Sequence, residues 1–134
     1  MKIKKIKAEQ TWEIRHKVMW PNKPLAYVKI SNDLEGLHYG LFIADKLVSV
    51  VSLFIKGEVA QFRKFATCID EQGKGYGSFL LNNLLKERIP SDVKRIWCNA
   101  RVDKITFYQK FGFVATQETF TKGGIDYVIM EKLF

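Results

Sequence analysis

The sequence predicts an α/β fold with one mixed sheet and flanking helices, and three observations predict it. Two apolar runs, Tyr39–Ala44 and Leu47–Ile55, flank a tight Asp45-Lys46 turn and read as a hairpin. A glycine-rich segment, Gln72-Gly73-Lys74-Gly75-Tyr76-Gly77, separates a strand pattern from a helix pattern. The second half then alternates strand and helix periods, so the full order reads β-α-β-β-β-α-β-α-β-β.

Each element has its own signal. Ile3 and Ile6 among lysines mark a short, edge-like first strand. Ile14 and Val18 have helical spacing within Ala8–Trp20, and Pro21 stops that helix. Pro21–Glu35 carries Pro, Asn, Ser and Asp and reads as a long loop of the kind that faces substrates. After a Lys56-Gly57 turn, Val59–Ile69 alternates Gln61 and Arg63 with Phe62, as a strand does. Tyr76, Leu80, Leu81, Leu84 and Leu85 share one helical face, and Pro90 ends that helix. Val93–Ala100 is a strand, and Ile105 with Tyr108 marks a short helix closed by Gly112. Phe113–Thr119 and Ile125–Leu133 form the last pair of strands, joined by Lys122-Gly123-Gly124.

Composition bounds the function. A chain of 134 residues is the length of one domain, taken as residues 1–134, and 47% hydrophobic with 13% aromatic residues excludes disorder. Twenty-two Lys plus Arg against fourteen Asp plus Glu give a net charge of +8, which attracts anions. The lysines are scattered and no nucleic-acid motif is present, so no nucleic-acid partner is expected. Two cysteines, Cys68 and Cys98, and two distant histidines, His16 and His38, make neither a disulfide framework nor a metal-ligand set; no metal is expected. The basic start lacks the apolar stretch of a signal peptide, and Leu47–Ile55 is too short to span a bilayer. These features read as a cytoplasmic protein with no membrane association.

The glycine turn carries the chemistry. Glycines let the backbone turn sharply beside a ligand, and N–H groups at a helix N-terminus bind phosphate oxygens. A dinucleotide fingerprint fails, because Ser78 replaces its last glycine and Lys94 and Arg95 stand where an acid belongs. A Walker loop fails as well, since no G-x-x-x-x-G-K-[ST] is present.

Gln72, Gly75 and Gly77 match, in register, the [RQ]-x-x-G-x-[GA] turn of the GNAT superfamily of acetyl-CoA-dependent N-acetyltransferases. Phe107-Tyr108-Gln109-Lys110-Phe111-Gly112-Phe113 is similar to that family's FY-x-K-x-GF signature. With the order of elements, the chain resembles a small, bacterial-type, single-domain GNAT protein from about Ile3 to Leu133.

The resemblance implies a largely antiparallel central sheet flanked by helices and splayed between the fourth and fifth strands. It implies acetyl-CoA as co-substrate. The pyrophosphate would sit on Gln72, Gly73, Lys74, Gly75, Tyr76 and Gly77. Pantetheine would lie along Phe65, Ala66 and Thr67, with Phe65 and Thr67 in main-chain contact. Asn99 and Arg101 are assigned to the same cofactor cleft. Tyr108 matches the tyrosine that protonates the departing thiolate. The general base does not transfer by motif and stays open among Glu58, Glu118, Asp126 and water.

The implied reaction is direct transfer of an acetyl group to a primary amine of a small molecule or protein, with an acyl-CoA-binding module lacking catalysis as the alternative. A homodimer is compatible with the resemblance, because family members often pair. Arg15 is read as a ligand for an acidic group or as a surface ion pair, and His38 as a satisfied edge histidine.

Overall fold

The computed structural model describes all 134 residues. Seven strands and three α-helices follow in the expected order: β1 Lys2–Ile6, α1 Glu9–Ile14, β2 Leu37–Ile43, β3 Lys46–Lys56, β4 Val59–Thr67, α2 Tyr76–Glu87, β5 Arg95–Arg101, α3 Ile105–Gln109, β6 Val114–Lys122 and β7 Ile125–Leu133. The strands lie in the order β1-β2-β3-β4-β5-β7-β6. No helix is long and apolar enough to cross a membrane. The chain divides into two compact units, residues 1–54 with 63–88, and residues 55–62 with 89–134, so β4 passes from the second into the first at Arg63.

In the first unit β1 and β3 both run antiparallel to β2. The hairpin turns one residue earlier than its sequence suggests. Ala44 and Asp45, at φ 48° and 65°, are its two central residues, and Lys46 already belongs to β3. Two successive positive φ values match the right-handed twist of the strands, and alanine is a poor signal for such a turn. Leu80, Leu81 and Leu84 of α2 are buried, as are Leu41, Val48, Val50, Val51 and Leu53 of the sheet. Burying one such side chain contributes about 1.5–3 kcal/mol.

The first helix is α-helical only to Ile14, and Arg15–Met19 widens into a π-helical turn. π-Turns are rare and concentrate at functional or strained positions. The loop 21–35 holds two 3₁₀ turns, Leu25–Val28 and Asp33–Glu35.

Arg15 is neither a surface residue nor an exposed ligand for anions; it is fully buried. Its Nη1 donates to Asp33 Oδ2 at 2.9 Å and Val28 O at 3.0 Å, and its Nη2 donates to Asp33 Oδ1 at 3.0 Å and Ser52 Oγ at 2.9 Å. Trp12 Nε1 and the Ile30 N–H also donate to Asp33 Oδ2. His38 completes the cluster, pairing with Ser52 Oγ and Asp33 O at 2.7 Å each, which makes it the satisfied histidine expected. The charge explains the burial: a bidentate fork cancels it inside a core that would otherwise exclude it.

In the second unit β4 and β5 run parallel, paired from Val59↔Arg95 to Gln61↔Trp97. Beyond Trp97, β5 continues its antiparallel pairing with β7 as far as Arg101↔Tyr127. Ala60, Phe62, Ile96, Cys98, Ala100, Phe113 and Met130 form this unit's core. β6 bulges against β7 between Ala115 and Thr119, and its residues are almost all exposed.

Burial alone would raise the Asp33 carboxyl, but hydrogen bonds from Arg15, Ile30 and Trp12 outweigh it and hold the group below the usual range. A carboxyl depressed on folding stabilises above its unfolded pKa of about 3.9, and that stability is lost as pH falls through the folded value. Asp33→Asn is expected to cost about 3–5 kcal/mol in urea unfolding at pH 7, because it strands a buried guanidinium. It should also weaken the acid-induced loss below pH ~4. A cost under about 1 kcal/mol would contradict this account of the pair.

Candidate functional site

The glycine turn is built in the first unit from the end of β4 to the start of α2. β4 stops at Thr67, two residues before the expected Ile69, and Ile69–Glu71 forms a 3₁₀ turn. Gly73 and Gly75 take left-handed φ of 78° and 83°, and a Cβ on either would meet nothing within 4 Å. Non-glycine residues at such φ are strained, so the geometry requires glycine while the space beside it stays open.

Gly75 is the N-cap of α2, and no side chain caps the helix. The Tyr76, Gly77 and Ser78 N–H groups therefore point out of the first turn without intrahelical acceptors. A twelve-residue helix presents partial positive charge at that end. Gly77 also serves packing: a Cβ there would stand 3.1 Å from Thr67 Oγ1 and 3.2 Å from Phe65 Cζ. Glycine there lets the helix start lie against β4.

Hydrogen bonds fix the strand segment. Ser49 Oγ donates to Ala66 O at 3.1 Å and pairs with Thr67 Oγ1 at 2.9 Å, while Cys68 N–H donates to Val48 O. Main-chain groups alternate sides along a strand, so Ala66 and Cys68 face β3, and Phe65 and Thr67 direct theirs to the opposite edge. Ala66 is buried with Ile14 and Val50. Its side chain packs in the core, while Phe65 and Thr67 turn their main chain toward the other edge. Gln72 Nε2 donates to Thr67 O at 2.9 Å and ties the turn to the strand.

Lys74 is exposed and its Nζ donates to Glu71 Oε2 at 3.0 Å, while Lys46 stands 3.9 Å from Glu71 Oε1. Glu71 thus offsets the cation expected to meet a phosphate.

Lys64 interrupts β4 with φ 53°, a conformation that β-propensity cannot reveal. Such a kink re-aims side chains, and it comes just after the parallel pairing ends at Gln61.

In the second unit, Tyr108 lies on α3 against Phe107, Phe62 and Phe113, with ring centroids 5.2, 5.8 and 6.2 Å away. Burial pushes its phenol well up, the neighbouring Cys98 adds to the push, and Arg101 opposes it. The phenol therefore stays protonated across the neutral range, as a proton donor must. Arg101 and Asn99 lie on β5 opposite Tyr127 and Ile129 of β7, and Asn99 is exposed. The three carboxylates weighed as base are exposed; Asp126 Oδ1 accepts from Thr121 Oγ1 at 2.7 Å, and Glu118 and Glu58 lie on β6 and beside Gly57.

The acetyltransferase (GNAT) domain family matches residues 7–134. The chain belongs to the GNAT acetyltransferase family. The uncharacterized N-acetyltransferase YitI of Bacillus subtilis is 30% identical over 142 residues, covering 98% of this chain and 95% of that protein. The crystal structure of a candidate N-acetyltransferase from Lactobacillus plantarum has a TM-score of 0.84 at 18% identity, covering 99% of each chain. A GNAT family acetyltransferase from Elizabethkingia anophelis, with acetyl-CoA bound, has a TM-score of 0.78 at 16% identity, covering 99% of this chain and 97% of that one. At these identities the structural likeness is one of fold, and the seven-stranded mixed sheet with a parallel β4–β5 pair is the GNAT architecture.

Burial pushes the Cys98 thiol up to about 12, so its thiolate fraction at pH 8 is about 10⁻⁴. Iodoacetamide at pH 8 is expected to modify the native protein only at Cys68, which is partly exposed, and to reach Cys98 after unfolding. Peptide mapping that found Cys98 alkylated at the rate of Cys68 in the native protein would contradict this burial.

Proposed function

We propose that residues 1–134 act as one GNAT domain that transfers the acetyl group of acetyl-CoA to a primary amine by direct attack. The observation that carries this reading is the uncapped start of α2 behind two left-handed glycines that border open space. A pyrophosphate fits the donors present there: the outward N–H groups of Tyr76, Gly77 and Ser78, the left-handed backbone at Gly73 and Gly75 with open space beside it, and Lys74 once it leaves Glu71. Gln72 holds the turn against the strand. An extended pantetheine arm would lie along Phe65 and Thr67 on the edge away from β3, as an added strand does, with Gln72 giving up the Thr67 carbonyl to it. Asn99 and Arg101 are assigned to the same cofactor, as further ligands on β5.

Acetyl-CoA supplies the activated acyl group as a thioester. The amine nitrogen forms the new C–N bond as the C–S bond breaks, and the Tyr108 phenol donates its proton to the departing sulfur. The attacking amine gives up its proton to water or to one of Glu58, Glu118 and Asp126, and solvent restores the phenol. The acceptor is a small-molecule or protein amine, and the setting is the cytoplasm. The retained phenol is what favours catalysis over binding alone.

Tyr108→Phe removes the proton but keeps the ring. It is expected to lower kcat by about 10²–10⁴-fold while leaving the calorimetric Kd for acetyl-CoA unchanged. Amine-dependent release of coenzyme A, followed with a thiol reagent, provides the rate. Wild-type turnover in the variant would overturn the acid role.

A further inference from the structure

Arg63 is the residue that the proposed reaction leaves without a task. It is half-buried on β4, and its guanidinium makes no hydrogen bond, ion pair or ring contact with any side chain or backbone group of the chain. The other internal arginines are each engaged: Arg15 with Asp33, Arg88 with Asn83 and the Tyr39 ring, Arg95 with Glu131 and the Trp97 ring, and Arg101 with a partner as well. A guanidinium partly withdrawn from water with no hydrogen-bonded partner carries a desolvation cost that a bidentate anionic ligand would offset.

Its surroundings sharpen the point. Burial and the charge of Arg15 push the Arg63 guanidinium down, and Asp33 only partly offsets them. Asp33 is already saturated by Trp12, Arg15 and the Ile30 N–H. Two arginines thus share the field of one carboxylate whose hydrogen bonds go to Arg15 and not to Arg63. The loop lysines do not compete for that role at this point, since Lys29 lies over the Trp12 ring at 4.4 Å and Lys23 over the Tyr27 ring at 5.3 Å.

Position along β4 gives the ligand a place in the reaction. Thr67 borders the glycine turn, and Arg63 lies four residues back along β4, beyond the Lys64 kink and so within about 13 Å, the reach of a regular strand at roughly 3.3 Å per residue. An arm that starts from a pyrophosphate on the turn and runs back along Thr67 and Phe65 carries its reactive end toward Arg63.

We propose that Arg63 binds a carboxylate of the acceptor, so that the substrate is an amine bearing a carboxylate, as a free amino acid does. This rests on the acetyltransferase reading above and adds the acceptor's chemical class to it. A planar carboxylate takes two parallel N–H donors from the guanidinium, which lysine cannot reproduce.

The test pairs free L-amino acids and β- and γ-amino acids with their carboxamides, as acceptors and as calorimetric ligands of the protein saturated with coenzyme A. The wild type should favour the carboxylate member of at least one pair by about 10- to 100-fold in kcat/KM and in affinity. Arg63→Gln should erase that ratio by weakening the carboxylate member alone, and Arg63→Lys should restore only part of it. Acetyl-CoA affinity and the melting temperature of Arg63→Lys should stay near wild type. If wild type acetylates amines with no preference for carboxylates, or if Arg63→Gln keeps the preference, the proposal is overturned while the transferase reading stands. If wild type fails to bind acetyl-CoA, the transferase reading fails instead. Carboxylate binding lost in Arg63→Gln would still support Arg63 as an anion site in that case.

Discussion

One buried carboxylate organises the first half of this protein. Asp33 collects donors from Trp12 and Arg15 of the first helical segment and from the Ile30 backbone. Through Arg15 the same cluster reaches Val28 and Ser52, and through Ser52 it reaches His38. Helix, loop and two strands are thereby held by one group of polar atoms inside an apolar core. The cost of burying two charges is met because both carboxylate oxygens and both terminal guanidinium nitrogens are satisfied. Only Arg15 Nε is left without a partner. The π-helical turn at Arg15–Met19 begins at the residue that must reach inward.

That rigid cluster has a consequence for charge. Asp33 spends its hydrogen bonds on Arg15, Trp12 and the Ile30 N–H, and Arg63 stands in the same field with attraction from Asp33 but no hydrogen bond to it. At the far end of β4 the balance is reversed, since Glu71 holds Lys74 and attracts Lys46. In the proposed reaction the glycine turn would draw an anion through its backbone dipoles, and the strand upstream through the Arg63 side chain. The overall charge of +8 is compatible with an anionic partner but does not say which groups would meet it.

Much of the fold was legible because periodicity survives in short elements. The order of strands and helices, the βαβ passage through the glycine turn and the buried face of α2 all follow from residue spacing. Boundaries slipped where the decisive force was not local. The Ala44-Asp45 turn adopts positive φ at an alanine because strand twist demands it. β4 ends at Thr67 because Cys68 and Ile69 turn toward the helix start. In the candidate site the glycines were legible, since their conformational freedom is their signature. Arg15 misled, because a sequence does not reveal that an aspartate eighteen residues later will meet it in the core. Lys64 was silent, because a single positive φ inside a strand leaves no compositional trace. Arg63 looked like one more outward residue in an alternating strand, and only the inventory of partners sets it apart.

The central claim is that the backbone amides at the start of α2 receive the pyrophosphate of coenzyme A. A titration of ¹⁵N-labelled protein with coenzyme A, followed by amide chemical shifts, tests it most directly. The account predicts saturable shifts centred on Gly73, Gly75, Tyr76 and Gly77, with smaller changes at Phe65 and Thr67, while the Arg15–Asp33 cluster stays in place. Shifts that leave the glycine turn unmoved at saturating coenzyme A would contradict it.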